Sequence, residues 1–117
     1  MVSTRRLGDL EVSAIGFGCM SLSGTYGAAD DEESWRTLLG TLDLGVTFFD
    51  TADVYGVGHN ETLVGETLRP VRDDVVIATK FGFTSAPGSA DVKVRGDAAY
   101  VREACDRSLQ QIGRAHV

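Results

Sequence analysis

Short apolar runs and longer apolar stripes at helical spacing take turns along this chain. Arg5-Arg6-Leu7 and Leu10-Glu11-Val12, on either side of Gly8-Asp9, read as the strands and turn of a small hairpin. Ala14-Ile15-Gly16-Phe17-Gly18 is a third short strand, and a glycine-rich polar loop follows it to Gly27. Asp30 with Glu33 makes a capping-box-like start, in which Asp30 accepts a backbone N–H of the first turn. Trp35, Leu38, Leu39 and Leu42 then recur at helical spacing until Gly45 ends the helix.

Val46-Thr47-Phe48-Phe49 is a β-prone apolar run without alternation, the pattern of a strand covered on both faces. Asn60 is placed to cap a helix carrying Leu63, Val64, Thr67 and Leu68, which Pro70 stops. Val75 to Thr79 is the next buried strand, and Phe81 to Gly96 reads as a long loop. Asp97 caps a last helix, with Val101, Ala104, Cys105, Ser108, Leu109 and Ile112 at helical spacing. After the hairpin, strand and helix alternate three times, which implies an α/β protein with a parallel sheet and right-handed crossovers. Doubly wound sheets and barrels both begin this way, and periodicity does not choose between them.

Composition narrows the classes. At 117 residues and 43% hydrophobic, the chain holds at most one small domain of ordinary globular make-up. A net charge of −6 offers no basic face for nucleic acid or an anionic membrane. No apolar run approaches the ~20 residues of a membrane span, and the N-terminus lacks the apolar core of a signal peptide. Cys19 and Cys105 stand far apart with no metal-type or CxxC spacing, so a reducing cytoplasm is the expected compartment.

The candidate chemistry lies just past two apolar strands. Asp50 follows Phe48-Phe49, Tyr55 comes five residues later, and Lys80 follows Val75-Val76-Ile77-Ala78-Thr79. The C-terminal edge of a parallel sheet is where α/β proteins place reactive groups. A free phenol (pKa ~10) is a weak acid at neutral pH, and a nearby ammonium favours the phenolate. A lysine taken out of water needs a carboxylate to stay charged. Asp50, Lys80 and Tyr55 therefore make a coherent proton relay: anchor, tuner and acid. Singly, each has a plainer reading as a turn residue, a solvated cation or a loop aromatic. His59 reads as a solvated loop residue without a metal-ligand partner. Two glycine-rich stretches, Gly16-Phe17-Gly18-Cys19-Met20-Ser21 and Gly56-Val57-Gly58, each lack the third glycine of a dinucleotide fingerprint.

Gly45-Val46-Thr47-Phe48-Phe49-Asp50-Thr51-Ala52-Asp53-Val54-Tyr55-Gly56, continuing to Asn60-Glu61 and Gly65, resembles the first signature of the aldo/keto reductase superfamily. Ile77-Ala78-Thr79-Lys80-Phe81-Gly82 is similar to that family's lysine strand. Gly16-Phe17-Gly18-Cys19-Met20 is similar to its first barrel strand and loop, and Leu10-Glu11-Val12-Ser13 to its N-terminal hairpin. The likeness is greatest to bacterial and plant-type members. It implies the N-terminal part, a hairpin plus about three βα units, of a (β/α)8 TIM barrel. It also implies NADPH as hydride donor and a small-molecule carbonyl substrate. Tyr55 would be the general acid, with Asp50 and Lys80 as its supports. Gly18, Cys19, Met20 and Asp50 would lie near the nicotinamide.

On this reading residues 1–117 are a partial oxidoreductase domain that stops before strand 4. The family's catalytic histidine would end that strand; His116 falls before it and is not that histidine. The adenosine-phosphate site would come later still. Two other functions compete: a Schiff-base aldolase with Lys80 as nucleophile, and a non-catalytic NADPH-binding regulatory domain.

Overall fold

The computed structural model describes residues 2–24, 27–84 and 91–113. The expected hairpin is present: β1 (Thr4–Leu7) pairs antiparallel with β2 (Leu10–Ser13), Leu7 opposite Leu10. Gly8 takes φ 59° in the turn, a left-handed backbone that glycine adopts without steric cost. The strand predicted over residues 14–18 is regular only at β3 (Phe17–Gly18). A 3₁₀ turn, Met20–Ser23, follows and buries Leu22.

Helix α1 (Asp31–Asp43) begins as its sequence directs, with Asp30 Oδ1 accepting the Glu32 N–H at 2.9 Å. Trp35 departs from the expected apolar stripe. It is 47% exposed, and Leu38 alone of that set is fully buried. Strand β4 (Phe48–Asp50) and strand β5 (Val76–Ala78) flank helix α2 (His59–Leu68). Pro70 ends α2 but not the winding of the chain, since a 3₁₀ segment runs from Arg69 to Asp74.

Asn60 does not cap α2, contrary to the sequence expectation. Gly58 (φ 90°) is the cap, and Asn60 lies inside the first turn with its side chain buried. Residues 81–96 also depart from a plain loop: β6 (Phe83–Thr84) and β7 (Lys93–Val94) form a short exposed antiparallel ladder. Helix α3 (Ala98–Ile112) starts at Asp97, whose Oδ2 accepts the Tyr100 N–H at 3.1 Å. Residues 114–117, including His116, lie outside the described residues.

The central sheet is parallel in the order β3-β4-β5, each strand beside its successor. Phe49 and Ile77 are register partners and both are fully buried. They meet Leu38, Val64, Leu68 and Ile112 in one core between the sheet and its helices. Side chains of that size contribute roughly 1.5–3 kcal/mol each on burial. The alternate residues Phe48, Asp50, Val76 and Ala78 are only half-buried. Within these residues one face of the sheet is covered by helices and the other is only half-buried.

Gly65 lets α2 approach α3. A Cβ there would lie 2.7 Å from the Gln111 carbonyl oxygen and 2.8 Å from Ile112 Cα. At the opposite edge the hairpin is fastened to the start of β4. Thr47 N–H donates to Ser13 Oγ at 2.9 Å, and Ser13 N–H donates to Thr47 Oγ1 at 3.2 Å.

Candidate active site

The pairing of β4 with β5 continues beyond the regular strands. Thr51 N–H donates to the Ala78 carbonyl at 2.8 Å, and Asp53 N–H to the Lys80 carbonyl at 3.1 Å. This extension brings Asp50 and Lys80, thirty positions apart, to one place. Lys80 Nζ donates to Asp50 Oδ2 and to the Thr51 carbonyl, each at 2.7 Å. Both side chains remain 47% exposed. On the turn after β4, the half-buried Tyr55 presents its ring 5.1 Å from Lys80 Nζ. The three residues singled out for proton transfer are therefore together, at the open C-terminal edge of the sheet.

Burial draws the Lys80 pKa down, but hydrogen bonds and charge from Asp50 and Tyr55 outweigh it and leave the ammonium above its ordinary value. Lys80 is held charged.

Gly18 is the register partner of Asp50, and a Cβ built there meets nothing within 4 Å. An open, side-chain-free patch therefore lies beside the Asp50–Lys80 pair, where a flat ring could rest. Met20 follows at the start of the 3₁₀ turn, half-buried. Within this loop Cys19 faces inward. Its side chain is wholly buried in the core, and its thiol is pushed up to about 12 by burial and then by the Asp50 charge. The thiol is turned away from this edge, and burial disfavours its thiolate form. Cys19 contributes its backbone, donating N–H to the Asp50 carbonyl at 2.8 Å.

A second set of polar residues supports the edge from beneath. Asn60 Oδ1 accepts the Thr51 hydroxyl at 2.6 Å, and Asn60 Nδ2 donates to the Cys19 carbonyl at 2.7 Å. Glu61, also fully buried, accepts the Thr79 hydroxyl at 2.9 Å. Burial pushes the Glu61 carboxyl up, and hydrogen bonds from Ser108 and Thr79 oppose that rise only in part. Sequence reasoning missed both roles. The available signal was two adjacent polar residues opening a helix that packs beneath two strand ends.

His59 is exposed, as expected of a solvated residue, but it opens α2 rather than lying in a loop. Its ring is 2.8 Å from Ser23 Oγ and 2.8 Å from Asp31 Oδ1, so it joins three segments of chain. A cavity of about 260 Å³ opens beside the site, between Asp53, Glu61, Phe83, Tyr100 and Arg107. Asp50, Tyr55 and Lys80 do not line it.

A strand-end Asp–Lys pair with a tyrosine beside it is a site that known proteins can be compared with directly. The profile of the aldo/keto reductase family matches residues 14–117, almost the whole chain. This chain belongs to the aldo/keto reductase family. It is 37% identical over 114 residues to the aldo-keto reductase yakc [NADP(+)] of Schizosaccharomyces pombe, covering 96% of this chain and 34% of that protein. Among solved structures, the holo form of an aldo-keto reductase from Bacillus halodurans superposes with a TM-score of 0.86 at 37% identity. That match covers 97% of this chain and 37% of the Bacillus chain. A glycerol dehydrogenase from Gluconobacter oxydans gives a TM-score of 0.77 at 32% identity, covering 94% of this chain and 36% of its own. The chain spans roughly a third of the length of these relatives. These matches decide between the two folds that the sequence left open: the hairpin and three βα units are part of an aldo/keto reductase barrel.

Proposed function

We propose that this chain supplies the proton-donating part of an NADPH-dependent reduction of an aldehyde or ketone to an alcohol. The observation that carries the proposal is the Asp50–Lys80–Tyr55 arrangement, with a charged ammonium fixed against a carboxylate and facing a phenol ring. As the carbonyl oxygen gains negative charge, Tyr55 donates its hydroxyl proton to it. The phenolate left behind sits beside the Lys80 cation, which stabilises it. Asp50 and the Thr51 carbonyl fix that cation in position, and the phenolate regains a proton from solvent. The open patch over Gly18, flanked by Met20 and Asp50, fits the nicotinamide ring. NADPH, when bound, supplies the hydride. The name of the Schizosaccharomyces relative carries NADP(+), which supports this choice of cofactor.

The aldolase reading fits less well. A Schiff-base nucleophile must shed its proton, whereas Lys80 is held as an ammonium. A regulatory domain without catalysis leaves the close approach of the three groups without a purpose. We place the protein in the cytoplasm with a small-molecule carbonyl as partner, and expect neither nucleic acid nor membrane to bind its acidic surface. Made alone, residues 1–117 should turn over no carbonyl, because they span only a third of their relatives.

The deciding experiment is Tyr55→Phe in the intact protein, assayed by NADPH oxidation with a panel of aldehydes and ketones. General acid catalysis contributes ~10²–10⁴-fold, and kcat should fall by that order. An unchanged kcat would remove Tyr55 from the acid role.

A further inference from the structure

We propose that Asn60 is a positioning residue that sets the spacing between the Gly18–Met20 loop and the Asp50–Lys80 pair. The proposal rests on the reductase reading above and goes beyond it. Asn60 is fully buried, and its amide bonds three residues on two other pieces of chain, the end of β4 and the turn after β3. Its oxygen accepts the Thr51 hydroxyl at 2.6 Å, and its nitrogen donates to the Cys19 carbonyl at 2.7 Å and to Ser23 Oγ at 2.9 Å. A planar group with an acceptor at one end and two donors at the other is what this site requires. An aspartate could not donate, and an alanine would satisfy none of the three.

Both inner partners lie next to the reactive pair. The Thr51 carbonyl is the second acceptor of Lys80 Nζ, and the Cys19 N–H is bonded to the Asp50 carbonyl. Asn60 thus ties the loop beside the open Gly18 patch to the residue that helps to hold Lys80. The frame extends outward through its neighbour. His59 Nε2 lies 2.8 Å from Asp31 at the start of α1, and His59 Nδ1 lies 2.8 Å from the same Ser23 hydroxyl. With the imidazole neutral and its proton on Nε2, all these donors and acceptors match: Nε2–H to Asp31, Ser23 O–H to Nδ1, Asn60 N–H to Ser23 O. The loop, the strand end and α1 are joined through two consecutive residues of α2.

The test follows Lys80 itself, in the intact protein, by NMR titration of 13C-labelled lysine. A Lys80→Arg variant assigns the signal, and the groups facing Lys80 are Asp50 and Tyr55. Thr51→Val removes the hydroxyl that donates to Asn60 while keeping the branched shape, and Thr51→Ser restores it. The Lys80 midpoint should fall by roughly 0.5 pH unit or more in Thr51→Val and Asn60→Ala, and return in Thr51→Ser. Asn60→Ala should also weaken NADPH binding several-fold. A Lys80 midpoint that stays put while the Tm drops would make Asn60 a packing residue only and overturn the proposal. Should Asn60→Ala fail to fold, the Thr51 pair decides alone. The titration needs no turnover, so a protein with the expected Lys80 shifts but an unaffected Tyr55→Phe variant would refute the reductase reading and leave the Asn60 frame standing.

Discussion

The two edges of the central sheet are fastened in similar ways and to opposite effect. At the N-terminal edge, Ser13 and Thr47 exchange neutral hydrogen bonds, and Ser13 and the adjacent Val12 are almost wholly buried. The Ser13 and Thr47 hydroxyls and N–H groups find their partners within the chain, and neither residue is ionisable. At the C-terminal edge, Lys80 is bonded to Asp50 and Thr51 at equally short distances, yet both charged side chains stay half-exposed. Hydrogen bonding alone does not mark a site. What separates the edges is that one holds charge in reach of solvent, with a phenol beside it, and the other closes the structure.

This contrast can be broken most directly at the charged edge. Lys80→Met should lower kcat by ~10²-fold or more, the scale on which a positioned proton donor acts. Its effect on stability should be small, since half-exposed ion pairs are worth under ~1 kcal/mol. Steady-state kinetics beside a urea titration would check both halves. A large loss of stability with kcat unchanged would turn Lys80–Asp50 into a structural pair like the one at the other edge.

The charged edge was legible in the sequence, and the frame beneath it was not, for a physical reason. Asp50, Tyr55 and Lys80 each have a plainer reading alone, and they stand out only as a set of three complementary groups just past two successive apolar strands. Asn60 has a plain local use as a helix cap, and its true partners, Thr51 and Cys19, lie 9 and 41 positions away. Only the approach of three segments reveals them. Cys19 shows the converse, since its place in the loop beside Asp50 says nothing of a side chain turned into the core. The β6–β7 ladder escaped notice because strands of two residues each are too short to carry an apolar period. The helices α1 and α3 were readable from Asp30 and Asp97, whose caps act locally.

Two substitutions away from the charged edge should move stability and spare chemistry. Gly65→Val places new atoms against the backbone of Gln111 and Ile112, which cannot yield as a flexible side chain would. Overpacking of this kind costs roughly 1–3 kcal/mol, read as a lower urea midpoint. Ser13→Ala leaves the Thr47 N–H without its acceptor, at a cost of about 1–2 kcal/mol. KM and kcat should be unaltered in Ser13→Ala. A tenfold loss of kcat there would mean that the N-terminal edge also governs the reaction.

Glu61 gives the smallest effect and the finest test, because it is a buried carboxylate beneath the charged edge with no access to solvent. Burial raises its pKa in the folded protein, and the bonds from Ser108 and Thr79 do not cancel that rise. A folded pKa above the unfolded value means that folding favours the protonated acid. The stabilising contribution is therefore complete below the ordinary glutamate value, ~4.3, and is lost as pH rises through the raised folded value. At neutral pH the carboxylate is a net cost that a neutral amide of the same shape avoids. Glu61→Gln should accordingly raise the Tm at pH 7, and the gain should shrink as the pH is lowered towards 4. Thermal melts of the two proteins across that range measure the difference directly. A gain that stays constant with pH would show that Glu61 is not burdened by its charge. The Thr79 and Ser108 bonds would then hold the carboxylate as firmly as Asp50 holds Lys80.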